Sequence, residues 1–171
     1  MKITKMDGMT QFKPKKSDMS LSNWKSADKR TKEDKLLLKY WQQVGGVIFT
    51  EVIVGRGGLH QWSSDAKPRR IDGVRINSSA KKNISSGIVT FNKKTNILEF
   101  QQIVAGAKVE VIEVKDWLDR LVLGQVIIGA DLLKMEYSPA QIKQVVICEV
   151  GDPVLEMVCE KRNIEVWIPA K

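Results

Sequence analysis

The sequence predicts an α/β domain, a mixed central β-sheet flanked by α-helices. Three observations carry that prediction. Apolar residues return at helical spacing in the stretch ending at Val44, again from Trp117 to Leu133, and again after Pro153. Glycine-bounded, β-rich runs fill the interval between the first two. From Trp117 onward helix and strand alternate, which implies crossover connections and parallel pairing. The earlier strands follow one another closely, as hairpins do.

Residues 1–25 are rich in Lys, Ser and Met and show little apolar periodicity, so they read as a basic flexible arm, with the domain spanning 26–171. Trp24 is the exception and can dock the arm onto the domain. A helix begins within Ser26–Thr31 and runs to Val44. Leu37, Trp41 and Val44 share a stripe, and Gly45 is a natural stop. Gly46–Gly55 is a strand, 55–68 a long loop, Arg69–Ile76 a second strand and Ser78–Ser86 a basic loop.

Gly87–Phe91 and Ile97–Val104 flank Asn-Lys-Lys-Thr-Asn and predict a hairpin with a five-residue turn. Lys108–Lys115 is the next strand. The helix from Trp117 places Leu118, Leu121, Val122, Gln125, Gly129 and Leu132 in its pattern, and Ser138-Pro139 opens a short helical turn. Val145–Val150 is apolar apart from Glu149, and reads as a strand buried on both faces. Asp152 caps a helix that starts at Pro153 and runs to about Arg162. Ile164–Ile168 is the last strand.

Composition narrows the function classes. At 43% hydrophobic and 28% charged residues, the 171-residue chain is neither a disordered nor a fibrous sequence. No apolar run reaches the roughly 18 residues of a membrane span, and the N-terminus lacks a signal-peptide core, so no membrane partner and a cytoplasmic location are expected. Cys148 and Cys159 form neither a metal-ligand cluster nor a disulfide framework. Charge is uneven. Residues 1–55 carry 11 basic and 6 acidic side chains, 56–94 carry 9 and 2, and 95–171 carry 8 and 12. A basic first half suggests a polyanionic partner, and the alternative is a solvated lysine-rich surface.

The most informative residues are charges inside apolar strands. Glu113 and Lys115 share one face of their strand, with Ile112 and Val114 on the other. Taken alone, Glu-x-Lys is a common solvated pattern. Upstream, however, Asp72 stands in Arg70-Ile-Asp-Gly-Val74, and Glu51 interrupts Val-Ile-Phe-Thr-Glu-Val-Ile-Val. A charge in an apolar strand is costly unless it is paired or bound to a metal.

The order Glu51, Asp72, Glu113-Val-Lys115 resembles the PD-(D/E)XK nuclease superfamily, whose restriction-endonuclease-like core runs helix, three-stranded meander, crossover helix, strand, helix, strand. The resemblance covers about residues 27–168. Gln125 in Leu123-Gly-Gln-Val-Ile-Ile128 is similar to the glutamine of the crossover helix in some branches, and its stripe implies burial beside the site. Ile71 stands where the family name has proline, and Gly129 stands where one branch has tyrosine.

The resemblance implies a Mg²⁺-dependent DNA endonuclease, with Mn²⁺ as a substitute cofactor. Asp72 and Glu113 would be metal ligands, together with the carbonyl of Val114. Hard oxygen donors suit Mg²⁺, which keeps several waters. Lys115 would position or deprotonate the attacking water or stabilise the transition state. Glu51 would bind a second metal or orient water, and Gln125 would support the site by hydrogen bonding.

The loop before Asp72 supplies Arg56, His60, Trp62 and Lys67 and runs on to Arg69 and Arg70, with Lys81 and Lys82 on the next loop. These cations would contact phosphates. Trp62 would stack on a base or, as plausibly, pack its loop onto the core. The expected partner is DNA, or RNA, since cations do not distinguish the sugars. A homodimer or a place in a larger complex would supply specificity. The rival reading is a nucleic-acid-binding or assembly subunit with weak or no catalysis.

Overall fold

The computed structural model describes residues 24–77 and 86–170, with the side chains of 93–96 left aside. The expected arm, the basic loop with Lys81 and Lys82, and the Lys93 and Lys94 side chains fall outside these described residues, apart from Trp24 and Lys25 at the arm's end.

Helix α1 (Lys32–Val44) begins one residue past the expected window, with Thr31 as its cap. Thr31 and Asp34 form a reciprocal capping box, each side chain accepting the other's backbone N–H. Strands β1 (Val47–Gly55) and β2 (Pro68–Ile76) pair antiparallel, and β3 (Gly87–Thr90) lies parallel to β1 at the sheet edge. Helix α2 (Lys93–Val104) returns the chain to β4 (Lys108–Trp117), which is antiparallel to β2. Helix α3 (Arg120–Tyr137), capped by Asp119, crosses to β5 (Gln141–Val150), which is parallel to β4. Helix α4 (Pro153–Lys161), capped by Asp152, crosses to β6 (Ile164–Trp167), parallel to β5. The six strands form one mixed sheet in the order β3-β1-β2-β4-β5-β6.

Each face of the sheet buries its own cluster. Trp24 and α1, through Leu36, Leu37 and Tyr40, cover Ile48, Ile88, Ile112, Val114, Val145 and Ile147. Trp24 is only 7% exposed and Arg30 stacks on its ring, so the packed unit includes residues before the expected boundary at 26. Helices α2, α3 and α4 cover the other face, with Phe100, Val126, Leu133 and Cys159 among the buried residues.

Several expectations are corrected. Ile97–Val104 is helical, not the second arm of a hairpin. Its apolar residues at 97, 100, 103 and 104 follow helical spacing, and Phe100 stacks edge-on against Phe49, Phe91 and Tyr137 at 5.0–5.2 Å. The first half of the sheet is therefore not wholly antiparallel, because β3 enters as a parallel edge strand. Ser138-Pro139 opens no helical turn. Ser138 ends α3 in the left-handed conformation, φ 51°, and the chain enters β5 at Gln141. That strand begins four residues earlier than Val145, and its two-sided burial is confined to Val145–Cys148.

Candidate active site

The site lies where the sheet forks. β1 and β2 stay paired from Val47–Ile76 to Gly55–Pro68, but β2 and β4 pair only from Gly73–Ile112 to Ile76–Val109. Beyond that point β4 continues to pair with β5 as far as Trp117. The two halves of the sheet separate one step past Gly73, at Asp72 and Glu113.

The fork is written into the backbone. Val47 and Phe49 of β1 face the α3 side, and so do Val52 and Val54, although strict alternation would send the second pair to the opposite face. β2 does the same with Ile76 and Val74 and then Ile71. Both strands change face between these residues while the register is kept, Thr50 opposite Gly73 and Val52 opposite Ile71. Glu51 sits at the change with φ 59°, left-handed and costly for a side chain larger than glycine.

At the fork Asp72 does what a ladder partner would have done, its Oδ2 accepting the Val114 N–H at 2.9 Å. Glu113 is 2% exposed, and its carboxyl is hydrogen-bonded to that of Asp72. Burial first, and then the charge of Asp72, pushes Glu113 up to about 9. Burial also raises Asp72, against the Val114 N–H, Glu113 and Lys115, which oppose it. Both carboxyl groups are therefore held toward the protonated form, Glu113 most strongly.

Lys115 completes the group. Its Nζ lies 3.2 Å from Glu33 Oε1 on α1, and it feels the charges of Asp72 and Glu113. Burial pulls it down, but Glu33 and then the two carboxylates outweigh this and raise it overall. Lys115 is thus held as an ammonium ion.

Asp72, Glu113 and Lys115 are therefore brought together. Glu51 lines the same hollow as Asp72, Val114 and Glu33, but its carboxylate is paired with Arg70 at 3.0 Å. Gln125 is exposed rather than buried. It stands on the wall of a cleft of about 480 Å³ that Glu113 also lines. The buried stripe of α3 runs through Val122, Val126, Ala130, Leu133 and Tyr137, so the helix is rotated relative to the expected stripe and Leu121 also faces out.

Of the expected cationic and aromatic residues, Arg69 and Arg70 line the Glu113 cleft, whereas Arg56, His60 and Trp62 line a separate hollow. Arg56, Lys67, Arg69 and Arg70 are exposed, with Arg56 donating to the Ser64 carbonyl and Arg69 to that of Lys67. His60 packs edge-on against Trp62 at 5.0 Å. Trp62 donates its indole N–H to Glu136 Oε1 at 3.2 Å.

Sequence reasoning missed two acids. Glu33 sits on a solvated turn of α1, and nothing local marks its contact with Lys115. Glu136 is buried at the end of α3 and accepts from the backbone N–H groups of Gly55 and Leu59 as well as from Trp62. A charged residue next to the buried Tyr137 was its one sequence signal.

The donor set suits a hard divalent cation, because two carboxyl groups forced together in a buried spot gain most from a positive charge between them. Among the described residues no three His, Cys, Asp or Glu side chains form a metal-binding group. Such an ion would rely on Asp72, Glu113, a backbone carbonyl and water. No described helix is long and apolar enough to cross a membrane. No protein-family model, curated protein or solved structure matches the chain.

Proposed function

We propose that this chain is a metal-dependent DNA endonuclease built on a restriction-endonuclease-like core. The observation that carries the reading is the meeting of Asp72, Glu113 and Lys115 at the fork of the sheet. The order α1, β1, β2, β4, α3, β5, α4, β6 supports the core, with β3 and α2 added between the second and third strands of the meander.

In phosphodiester hydrolysis a water oxygen forms a new bond to phosphorus and the bond to one sugar oxygen breaks. The water gives a proton to solvent and the departing oxygen gains one. Asp72 and Glu113, with the Val114 carbonyl, would hold Mg²⁺ or Mn²⁺, which when bound neutralises phosphate charge and makes a coordinated water more acidic. Lys115, kept protonated, acts as a donor and positive charge beside the phosphate rather than as a base. Glu33 fixes its ammonium group. Gln125, exposed on the wall of the Glu113 cleft, is placed to hydrogen-bond substrate or water.

The test is cleavage of plasmid, linear duplex, single-stranded and branched DNA with Mg²⁺ or Mn²⁺ by wild type, Asp72→Asn and Lys115→Met. Cutting by wild type alone supports the reading. Cutting that survives both substitutions refutes this site. A binding or assembly subunit without catalysis is the second reading, and binding without cutting under either metal would establish it.

A further inference from the structure

Resting on the nuclease reading, we propose that the cleft between α3 and the outer ends of β1 and β2 receives an unpaired DNA strand, which makes single-stranded DNA or single-stranded branches the preferred substrate. The buried Glu113 is among the residues that line the cleft, and its two walls differ in chemistry.

One wall is cationic. Arg69 and Arg70 project from β2, and Arg120 stands at the start of α3. Arg70 pairs with Glu51, but Arg69 and Arg120 have no carboxylate partner among the described residues. They are available to phosphate oxygens within the same cleft as the catalytic carboxylate.

The other wall is aliphatic. Leu121 and Ile128, 65% and 50% exposed on α3, line the cleft together with Leu132 and present an apolar wall that a base or sugar could cover. Intact duplex shows a protein its phosphates, sugars and groove edges, while its base faces stay stacked inside. It therefore offers this wall little to bury. An unpaired strand offers both chemistries at once, phosphates to the arginines and base faces to the aliphatic side chains. A volume of about 480 Å³ is also on the scale of a small-ligand pocket, suited to part of one strand.

Gly124 is the independent observation. It lies inside the 18-residue helix α3, facing the cleft with Leu121 and Ile128, where glycine weakens the helix relative to alanine. Packing does not require it, because a Cβ there would meet nothing within 4 Å. Gly129 contrasts, since its Cβ would come within 3.3 Å of Ile71. Open space over a mid-helix glycine on a cleft wall is where an occupant approaches the backbone closely.

The experiment measures binding of a fluorescein-labelled oligonucleotide, single-stranded and as its duplex, by anisotropy in EDTA. Cleavage of single-stranded, duplex and flapped DNA is then measured in Mn²⁺. Wild type should prefer the single strand and cut at unpaired segments. Gly124→Leu fills the cleft with a better helix former, so its Tm should not fall, while single-strand binding should weaken by about tenfold because the side chain takes the space the strand would occupy. Ile128→Ser should weaken it similarly. Equal preference for duplex, or an unaffected Gly124→Leu, overturns the proposal. So does a dimer in sedimentation that Ile128→Ser dissociates without any change in strand binding, because a second copy would then be the occupant. The nuclease reading fails separately, if no DNA is cut with either metal while the binding preference persists.

Discussion

Asp72 and Glu113 belong to different strands that stop pairing one step before them, yet their carboxyl groups are hydrogen-bonded to each other across the gap. This relationship makes the fork more than an interruption of the sheet. It holds a proton on Glu113 in a buried place.

The first prediction concerns that proton. Glu113 is raised from the ordinary 4.5 to about 9, so between these values the folded chain binds more protons than the unfolded one. Metal-free stability should therefore fall as pH rises through this window, since the slope follows protons bound unfolded minus folded. Mn²⁺ or Mg²⁺ should flatten the fall, and metal binding should release about one proton near neutral pH. Melting temperature against pH with EDTA or Mn²⁺ checks the first. Calorimetry in buffers of different ionisation enthalpy checks the second.

Lys115 and Glu33 should separate in their effects. Removing the cation in Lys115→Met should lower cleavage by about 10²–10³-fold, the range for loss of one transition-state donor. Glu33→Gln should cost about fivefold or less at neutral pH, as expected of a partly exposed ion pair. It should also shift the alkaline limb of the rate profile to lower pH, because the residue that raises Lys115 is gone. Steady-state rates between pH 6 and 10 would read both.

Glu136 is expected to hold the 55–62 loop. Glu136→Ala strips acceptors from Gly55, Leu59 and Trp62 together and should destabilise by about 3 kcal/mol or more. Glu136→Gln keeps one acceptor oxygen and should cost less. Urea denaturation gives the energies, and hydrogen exchange at the Gly55 and Leu59 amides reports the loop.

Glu51 carries strain at the change of face. Glu51→Gly should be neutral within about 1 kcal/mol, since relief at φ 59° offsets the added chain entropy. Glu51→Val should destabilise by about 1–2 kcal/mol, because a β-branched residue suits that backbone least. The lost Arg70 pair is exposed and contributes little to either figure. Thermal unfolding of the two variants makes the comparison.

Local signals made much of this protein legible. Asp152 before Pro153, Gly45 after Val44 and the apolar run Val145–Cys148 each encode an element through the backbone of a few neighbouring residues. Asp72, Glu113 and Lys115 stood out because charges in apolar strands are expensive, a cost that sequence reveals without coordinates. Ile97–Val104 was misread because a short apolar run fits strand and helix alike, and its packing against Phe49 and Tyr137 decided between them. The phase of α3 followed the same rule, since contact with the sheet turned Val122 and Val126 inward and left Leu121 and Gln125 in the cleft. The parting of β2 from β4, the reach of Glu33 to a lysine 82 residues away and the grip of Glu136 on Gly55 across 81 residues were decided only by tertiary structure. Each joins segments that are distant in the chain, and the energy that selects them comes from burying groups together, which no local run of residues can express.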